Sequence, residues 1–149
     1  MRVRLRYALG LLVGAAVVCV AQTSRSEAAD KADFETVCGA CHSSSMVSDI
    51  LTAPEWKETV AQMVSIGAKG TEQQMEAVMR VLLRTLTKVN VNKAAAAELP
   101  LVLDITEATA QALVKYRADH GDFKTLGDLK KVPGIDAAKL DARKDRVAF

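Results

Sequence analysis

The middle of the chain carries apolar residues at helical spacing, without the strict alternation of apolar and polar positions that is typical of a strand. In the first such stretch the apolar positions recur at steps of three and four: Trp56, Val60, Met63 and Ile66. They share one face of a predicted helix that begins near Pro54, a residue suited to a first helical turn, and stops at Gly67.

A second helix is predicted to begin at Thr71, an N-cap that has Gln74 three residues later. Its apolar stripe consists of Met75, Val78, Met79, Leu82 and Leu86. Glu76 and Arg80 stand four residues apart outside this stripe and form a predicted ion pair. One face of this helix should therefore pack, and the opposite face should meet solvent.

The composition changes near Thr87, where a new set of short helices begins. The predicted caps of these helices are Asn92, Thr106, Thr125 and Asp136. Gly121 ends the helix that Thr106 begins, and His120 is expected to end that helix rather than to bind metal. The chain is therefore predicted to be all-α, with one small domain over residues 32–87 and another over residues 89–149.

The amino terminus has the plan of a secretory signal peptide. Three arginines precede an apolar run from Ala8 to Ala21, and the chain then turns polar. Residues 1–28 are the predicted signal peptide, with cleavage after Ala21 or Ala28, which places the protein in the periplasm without a transmembrane span. Losing the three arginines lowers the formal charge from +2 to −1, so a basic field that would attract nucleic acid is not expected.

The segment VCGACH, residues 37–42, holds both cysteines outside the predicted signal peptide. A thioredoxin-like redox pair is disfavoured because no strand precedes it, and a zinc site lacks ligands because His120 belongs to the other domain. A disulfide between Cys38 and Cys41 leaves His42 unexplained. Covalent attachment of one haem c explains all three residues, with two thioethers and His42 as the proximal ligand.

A bound haem also answers a problem of size, since a domain of about 60 residues buries too little apolar surface to be comfortably stable alone. Met63 is the predicted distal ligand because it follows the motif by about twenty residues and shares a helix face with Trp56, which would pack on the haem. Met75 and Met79 are the alternatives, although methionines at helical spacing more often belong to a core.

Residues 34–86 resemble the haem domains of class I cytochromes c, especially that of quinohaemoprotein amine dehydrogenases. The resemblance rests on CGACH, then Trp56, Val60 and Met63, then a closing helix. It implies thioethers at Cys38 and Cys41, with His42 and Met63 as axial ligands. The closing helix departs from the family, because residues 81–83 read Val-Leu-Leu where the family has Tyr-Leu.

Residues 89–149 resemble the tandem helix-hairpin-helix domain of bacterial competence DNA receptors, on VNVNKA, YRADHGDF, LGDLKKVPGI and RVAF. Such hairpins hold phosphate with backbone N–H groups that glycines leave accessible. The first hairpin has Asp104-Ile105-Thr106 where two glycines are expected, and the second keeps only Gly134 and places Asp136 after Ile135. The remaining candidates for a phosphate contact are Gly134 and Lys139.

Residues 88–149 carry eleven Lys/Arg and nine Asp/Glu, and this surplus of two positive charges is small for a protein that binds DNA without sequence preference. The predicted function is therefore single-electron transfer by an exported monohaem cytochrome c, with the degenerate hairpins docking protein. Its expected partner is a redox protein such as a periplasmic dehydrogenase, and no enzymatic site is predicted. The alternative is a DNA-binding or DNA-tethering protein whose haem is structural or senses redox state.

Overall fold

The computed structural model describes residues 25–149, so most of the predicted signal peptide lies outside the described residues. Within this range the helices are α1 (Glu27–Cys38), α2 (Ala53–Ser65), α3 (Glu72–Thr85), α4 (Leu99–Leu103), α5 (Glu107–His120), α6 (Leu126–Leu129) and α7 (Ala137–Ala142). Single 3₁₀ turns cover Ser44–Met46, Ala96–Glu98 and Lys144–Arg146, and the strands are β1 (Val89–Asn90) and β2 (Val147–Ala148). No helix in this range is long and apolar enough to cross a membrane.

The first unit is built from α1, α2 and α3, with α1 packed along α3. Its apolar core is formed by Phe34, Val37, Trp56, Val78 and Leu82. Helix α1 starts earlier than the predicted domain boundary at residue 32, because Ser26 caps it by accepting a hydrogen bond from the Ala29 amide at 3.2 Å. The helix thus begins within the predicted signal peptide of residues 1–28.

A buried ion pair joins α1 to α3. The Asp30 side chain is inaccessible to solvent and accepts hydrogen bonds from Arg80 Nε at 2.9 Å and Nη2 at 2.8 Å. The bond from Arg80 holds the pKa of Asp30 below its usual value, and Arg84 and Arg25 add to this effect. The predicted Glu76–Arg80 pair is present at 3.6 Å, but Arg80 is bound chiefly by Asp30, which lies 50 residues away in sequence.

The apolar stripe predicted for α2 packs only at its start. Trp56 is 4% exposed and Val60 is half-buried, whereas Met63 is 36% and Ile66 is 74% exposed. The predicted helix is present as α2, but its apolar face is buried only as far as Val60, since residues 61–67 are all exposed. The stripe predicted for α3 is confirmed, since Val78 and Leu82 are buried and Met75 and Met79 pack beside them.

The carboxyl end of α3 is bound by side chains from both halves of the chain. Trp56 Nε1 donates to the Leu86 carbonyl oxygen at 2.9 Å. Arg143 Nη1 donates to the Arg84 carbonyl at 3.0 Å, and Arg146 donates to the carbonyls of Arg84 and Thr85. Carbonyls at the end of a helix lack partners within that helix and carry its negative pole, so two guanidinium groups are favourable there.

The second unit encloses the larger core, with twelve buried apolar residues against the five of the first unit. A two-stranded parallel sheet closes it by pairing Val89 with Val147 and Asn90 with Ala148. Strands of two residues are too short to show a period, so the sequence pattern does not predict them. The prediction of a mostly helical chain is confirmed.

Three of the four caps predicted in the second unit are confirmed, because Thr106, Thr125 and Asp136 each accept a hydrogen bond from a backbone amide of the helix that follows. Asn92 is not a helix cap. Its side chain instead accepts from the Phe123 amide at 2.8 Å and donates to the Phe123 carbonyl at 2.9 Å. This residue therefore joins two segments 31 residues apart, a contact that local sequence cannot predict.

Replacing Asp30 with Asn should destabilise the protein by about 3 kcal/mol at neutral pH, because it leaves a guanidinium without its buried partner. The pKa of Asp30 is lowered, so this stabilisation is complete above the ordinary aspartate pKa and is lost as the pH falls through the native value. Urea unfolding from neutral to acidic pH measures the difference. Glu76→Gln is the matched control, because it removes the exposed partner of the same arginine.

Replacing both Arg143 and Arg146 with Ala should lower stability by about 1 to 3 kcal/mol per arginine, because the carbonyls at the end of α3 lose charged donors. Unfolding can be followed by the fluorescence of Trp56, the chain's single tryptophan, whose indole binds the same helix end. Lys144→Ala, in the same turn but exposed, is the control and should leave the midpoint unchanged. An equal loss of stability in Lys144→Ala and in the double arginine variant would contradict the role given to the arginines.

Candidate functional site

The cysteine motif begins at the carboxyl end of α1. Cys38 is the last helical residue, and the Gly39 amide donates to the Glu35 carbonyl at 2.9 Å. A Cβ atom at position 39 would lie 2.3 Å from that same oxygen, so only glycine fits. The chain then leaves the helix through Ala40 and Cys41, and the two thiols of the motif follow the end of a helix that α3 holds in place.

The two thiols differ in their surroundings. Both are free, and Cys38 is half-buried whereas Cys41 is exposed. Burial, and then the nearby Glu35 carboxylate, raise the pKa of the Cys38 thiol. Within residues 25–149 no three His, Cys, Asp or Glu side chains gather as a metal site, so Cys38, Cys41 and His42 do not form a closed zinc centre.

The ring of His42 is exposed and oriented by the backbone. Its Nδ1 lies 3.1 Å from the Ser43 carbonyl oxygen, which can only accept a hydrogen bond. Nδ1 is therefore the donor where this hydrogen bond forms, and in the neutral imidazole that tautomer places the lone pair on Nε2. A histidine that donates through one ring nitrogen to a carbonyl and presents the other is arranged as metal-binding histidines are.

The two other predicted haem contacts lie on α2 in different environments. Trp56 is part of the core of the first unit, and its indole nitrogen is bound by Leu86. Met63 lies two turns further along, where the helix is exposed. Met75 and Met79, the alternative ligands, pack beside Val78 and Leu82. Met63 is therefore the methionine of α2 and α3 that contributes nothing to the core.

Nearly all of the exposed large apolar side chains belong to the first unit. Within the described residues these are Met46, Ile50, Met63, Val64, Ile66 and, from the second unit, Phe149. An open groove of about 420 Å³ also lies between α2 and α3. Exposed apolar side chains often mark a binding face. The residues that line the groove are Val60, Glu72, Met75, Glu76, Met79 and Arg80, and none of them belongs to the cysteine motif.

The two hairpins have the same backbone form. Asp104 ends α4 with φ 55° and ψ 49°, and Gly134 in the second hairpin has φ 87°. Both positions are left-handed, which favours glycine, and aspartate is among the few other residues that accept this conformation. A Cβ atom at Gly134 would also lie 2.7 Å from Thr109 Oγ1, which leaves no room for a side chain. Asp104 therefore replaces a glycine without losing the turn.

Contacts between the two hairpins tie them together, and one of these contacts pairs Lys139 with a carboxylate. Thr109 Oγ1 donates to the Gly134 carbonyl at 3.4 Å, and Lys139 Nζ lies 3.2 Å from Asp104 Oδ2. Asp136 accepts hydrogen bonds from the amides of Ala138 and Lys139. Of the two candidates for a phosphate contact, Lys139 thus has both its amide and its ammonium group engaged by carboxylates.

The second unit matches known sequences. Residues 85–148 match the family described as helix-hairpin-helix motif. The endonuclease/exonuclease/phosphatase family domain-containing protein 1 is 42% identical over 60 residues in Bos taurus and 38% in Homo sapiens, covering 40% of this chain and 10% of each relative. An uncharacterized protein of Haemophilus influenzae is 40% identical over 63 residues, covering 42% of this chain and 56% of that protein. No solved structure matches.

The helix-hairpin-helix motif is thus confirmed over residues 85–148, whereas the tandem competence-receptor type and the domain bounds 89–149 stay predictions. The chain spans a tenth of the length of its animal relatives and about half of the bacterial one. The haem domain stays a prediction, because the matched family begins at residue 85, where α3 ends.

Proposed function

We propose that this chain, whose residues 85–148 carry a helix-hairpin-helix motif, is an exported c-type cytochrome that transfers single electrons. The observation that carries the proposal is the arrangement at residues 38–42. Two free thiols lie at the end of α1 and just after it, and Nδ1 of His42 contacts the Ser43 carbonyl. The same unit exposes the apolar surface that a macrocycle would cover.

The chain's residues have distinct roles in this proposal. Cys38 and Cys41 hold one haem c through thioethers, His42 is the proximal ligand and Met63 is the distal ligand. A haem with two such axial ligands supplies one-electron redox chemistry. Trp56 packs on the haem side of α2 while its indole nitrogen stays bonded to Leu86. We infer no enzymatic role for the protein, since both axial positions are taken by side chains.

We infer that the helix-hairpin-helix unit docks protein rather than DNA. Three of the four hairpin positions that correspond to phosphate-binding glycines hold other residues (Asp104, Thr106 and Asp136), and only Gly134 is kept. The lysine beside them, Lys139, is paired with Asp104. The expected partner is a redox protein, and a periplasmic dehydrogenase is the candidate by analogy with the quinohaemoprotein resemblance.

We infer that the protein acts in the periplasm after cleavage following Ala21. Ser26 caps α1, and Arg25 lies 3.4 Å from Asp30 and also pairs with Asp33. Cleavage after Ala28 would remove the cap and Arg25 together, whereas cleavage after Ala21 keeps both. The mass of the mature protein distinguishes the two products.

Expression in a host that attaches haem to c-type cytochromes should give a coloured protein with a haem-stained band on a denaturing gel. Its intact mass should exceed that of the cleaved chain by one haem. The double variant Cys38→Ala/Cys41→Ala should lose the covalent haem, and Cys19→Ala, within the predicted signal peptide, is the control. Colourless wild-type protein with free thiols or a disulfide at 38 and 41 would show that the proposal is wrong.

Met63→Ala should abolish the long-wavelength absorption band of the ferric protein that reports methionine bound to haem iron, because its thioether is the proposed distal ligand. Met46→Ala is the control, since that side chain is 73% exposed and belongs to the turn just after His42. If the band survives in Met63→Ala and is lost in Met75→Ala or Met79→Ala, the distal ligand is a methionine of α3.

DNA binding is the second candidate function, and the helix-hairpin-helix match is the observation that favours it. Because carboxylates occupy the hairpins, duplex DNA should bind no more tightly than about 10⁻⁴ M at physiological salt, the weak end of nonspecific binding. Fluorescence anisotropy with a labelled duplex over a salt series tests this. Tight binding that weakens steeply with salt would favour a DNA-tethering role instead.

A further inference from the structure

A groove between α2 and α3 has an apolar floor and an acidic edge. Its volume is about 420 Å³, and the residues that line it are Val60, Glu72, Met75, Glu76, Met79 and Arg80. The floor is formed by Val60 and the two methionines, whose flexible, polarisable side chains adapt to different partners. We call this feature the α2–α3 groove.

The one cation in the groove is already neutralised. Arg80 donates two hydrogen bonds to Asp30 at 2.8 and 2.9 Å and lies 3.6 Å from Glu76. The carboxylates of Glu72 and Glu76 are exposed, and Glu76 is 62% accessible. The edge of the groove therefore presents negative charge to solvent.

The chain segment from residue 46 to residue 76, which ends in the two glutamates of the groove, also carries negative charge. Between residues 46 and 76 the exposed acidic residues are Asp49, Glu55, Glu58, Glu72 and Glu76, and the exposed basic residues are Lys57 and Lys69. This segment has a net charge of −3. Mixed apolar and charged surface of one sign is suited to a protein partner of the opposite sign, because complementary charge speeds the encounter.

We propose that the α2–α3 groove is the docking surface for the redox partner, and that this partner presents an apolar centre with a rim of lysine or arginine. The inference rests on the proposed function, since Val60 lies one helical turn before Met63 on the same face of α2. A partner seated in the groove is thus placed beside the proposed distal ligand. The negative charges of Glu72 and Glu76 favour a basic partner over an acidic one.

The sign of the charge can be tested without the natural partner by using two small redox reagents. Ferric protein mixed with hexaammineruthenium(II), a cation, gains one electron and yields hexaammineruthenium(III). Ferrous protein mixed with hexacyanoferrate(III), an anion, loses one electron and yields hexacyanoferrate(II). Stopped-flow absorbance gives both second-order rate constants at several salt concentrations.

The variant Glu72→Gln/Glu76→Gln should slow the reaction with the cation about threefold and accelerate the reaction with the anion to a similar extent at low ionic strength. Both effects should vanish near 1 M salt, where the Debye length is about 3 Å. The control Glu107→Gln/Asp122→Asn removes two exposed carboxylates from the second unit. Glu107 matches Glu72, since each lies in the first turn of a 14-residue helix capped by threonine.

Three results would overturn this inference while leaving the proposed function intact: unchanged rates, equal effects of the control variant, or displaced haem absorption bands in Met79→Leu. Displaced bands in Met79→Leu would show that the haem itself occupies the groove. A concentration-dependent dimer in sedimentation that Met79→Asp abolishes would assign the groove to a second copy of the chain. A colourless wild-type protein would overturn both proposals.

Discussion

The carboxyl end of α3 is the point at which the two halves of this protein are joined. Its last carbonyl oxygens accept hydrogen bonds from Trp56 in the first unit and from Arg143 and Arg146 in the second. Arg143 also donates to the Val102 carbonyl in α4, so one guanidinium contacts three segments. Without these donors the helix would leave its negative pole unpaired between the two units. The helix-hairpin-helix unit is therefore held against the unit that carries the thiols.

The two units differ in how they are stabilised. The second has a core of twelve buried apolar residues, whereas the first has five and relies on the Asp30–Arg80 pair to hold α1 on α3. A small unit that exposes Met63, Val64 and Ile66 has apolar surface left to bury. The proposed haem would supply the missing core, so the cofactor and the stability of this unit are parts of one hypothesis.

The first hairpin keeps its left-handed turn although an aspartate stands where glycine is expected. Asp104 adopts the left-handed conformation expected of glycine, so the turn between α4 and α5 is kept. Its carboxylate binds Lys139 and adds negative charge where a phosphate contact would need positive charge. A family match over residues 85–148 therefore identifies the motif of this unit, and the proposal of a protein partner rests on the side chains at its hairpins.

The sequence by itself determined the local features: the caps at Thr71, Thr106 and Asp136, the apolar stripe of α3 and the CGACH motif. These could be predicted because a cap joins residues two or three positions apart and a stripe follows the helical period. Only the tertiary structure decided that Asp30 meets Arg80, that Asn92 binds Phe123 rather than capping a helix, and that α2 is exposed beyond Val60. Each of these depends on which distant segment packs nearby, and neither periodicity nor spacing records that.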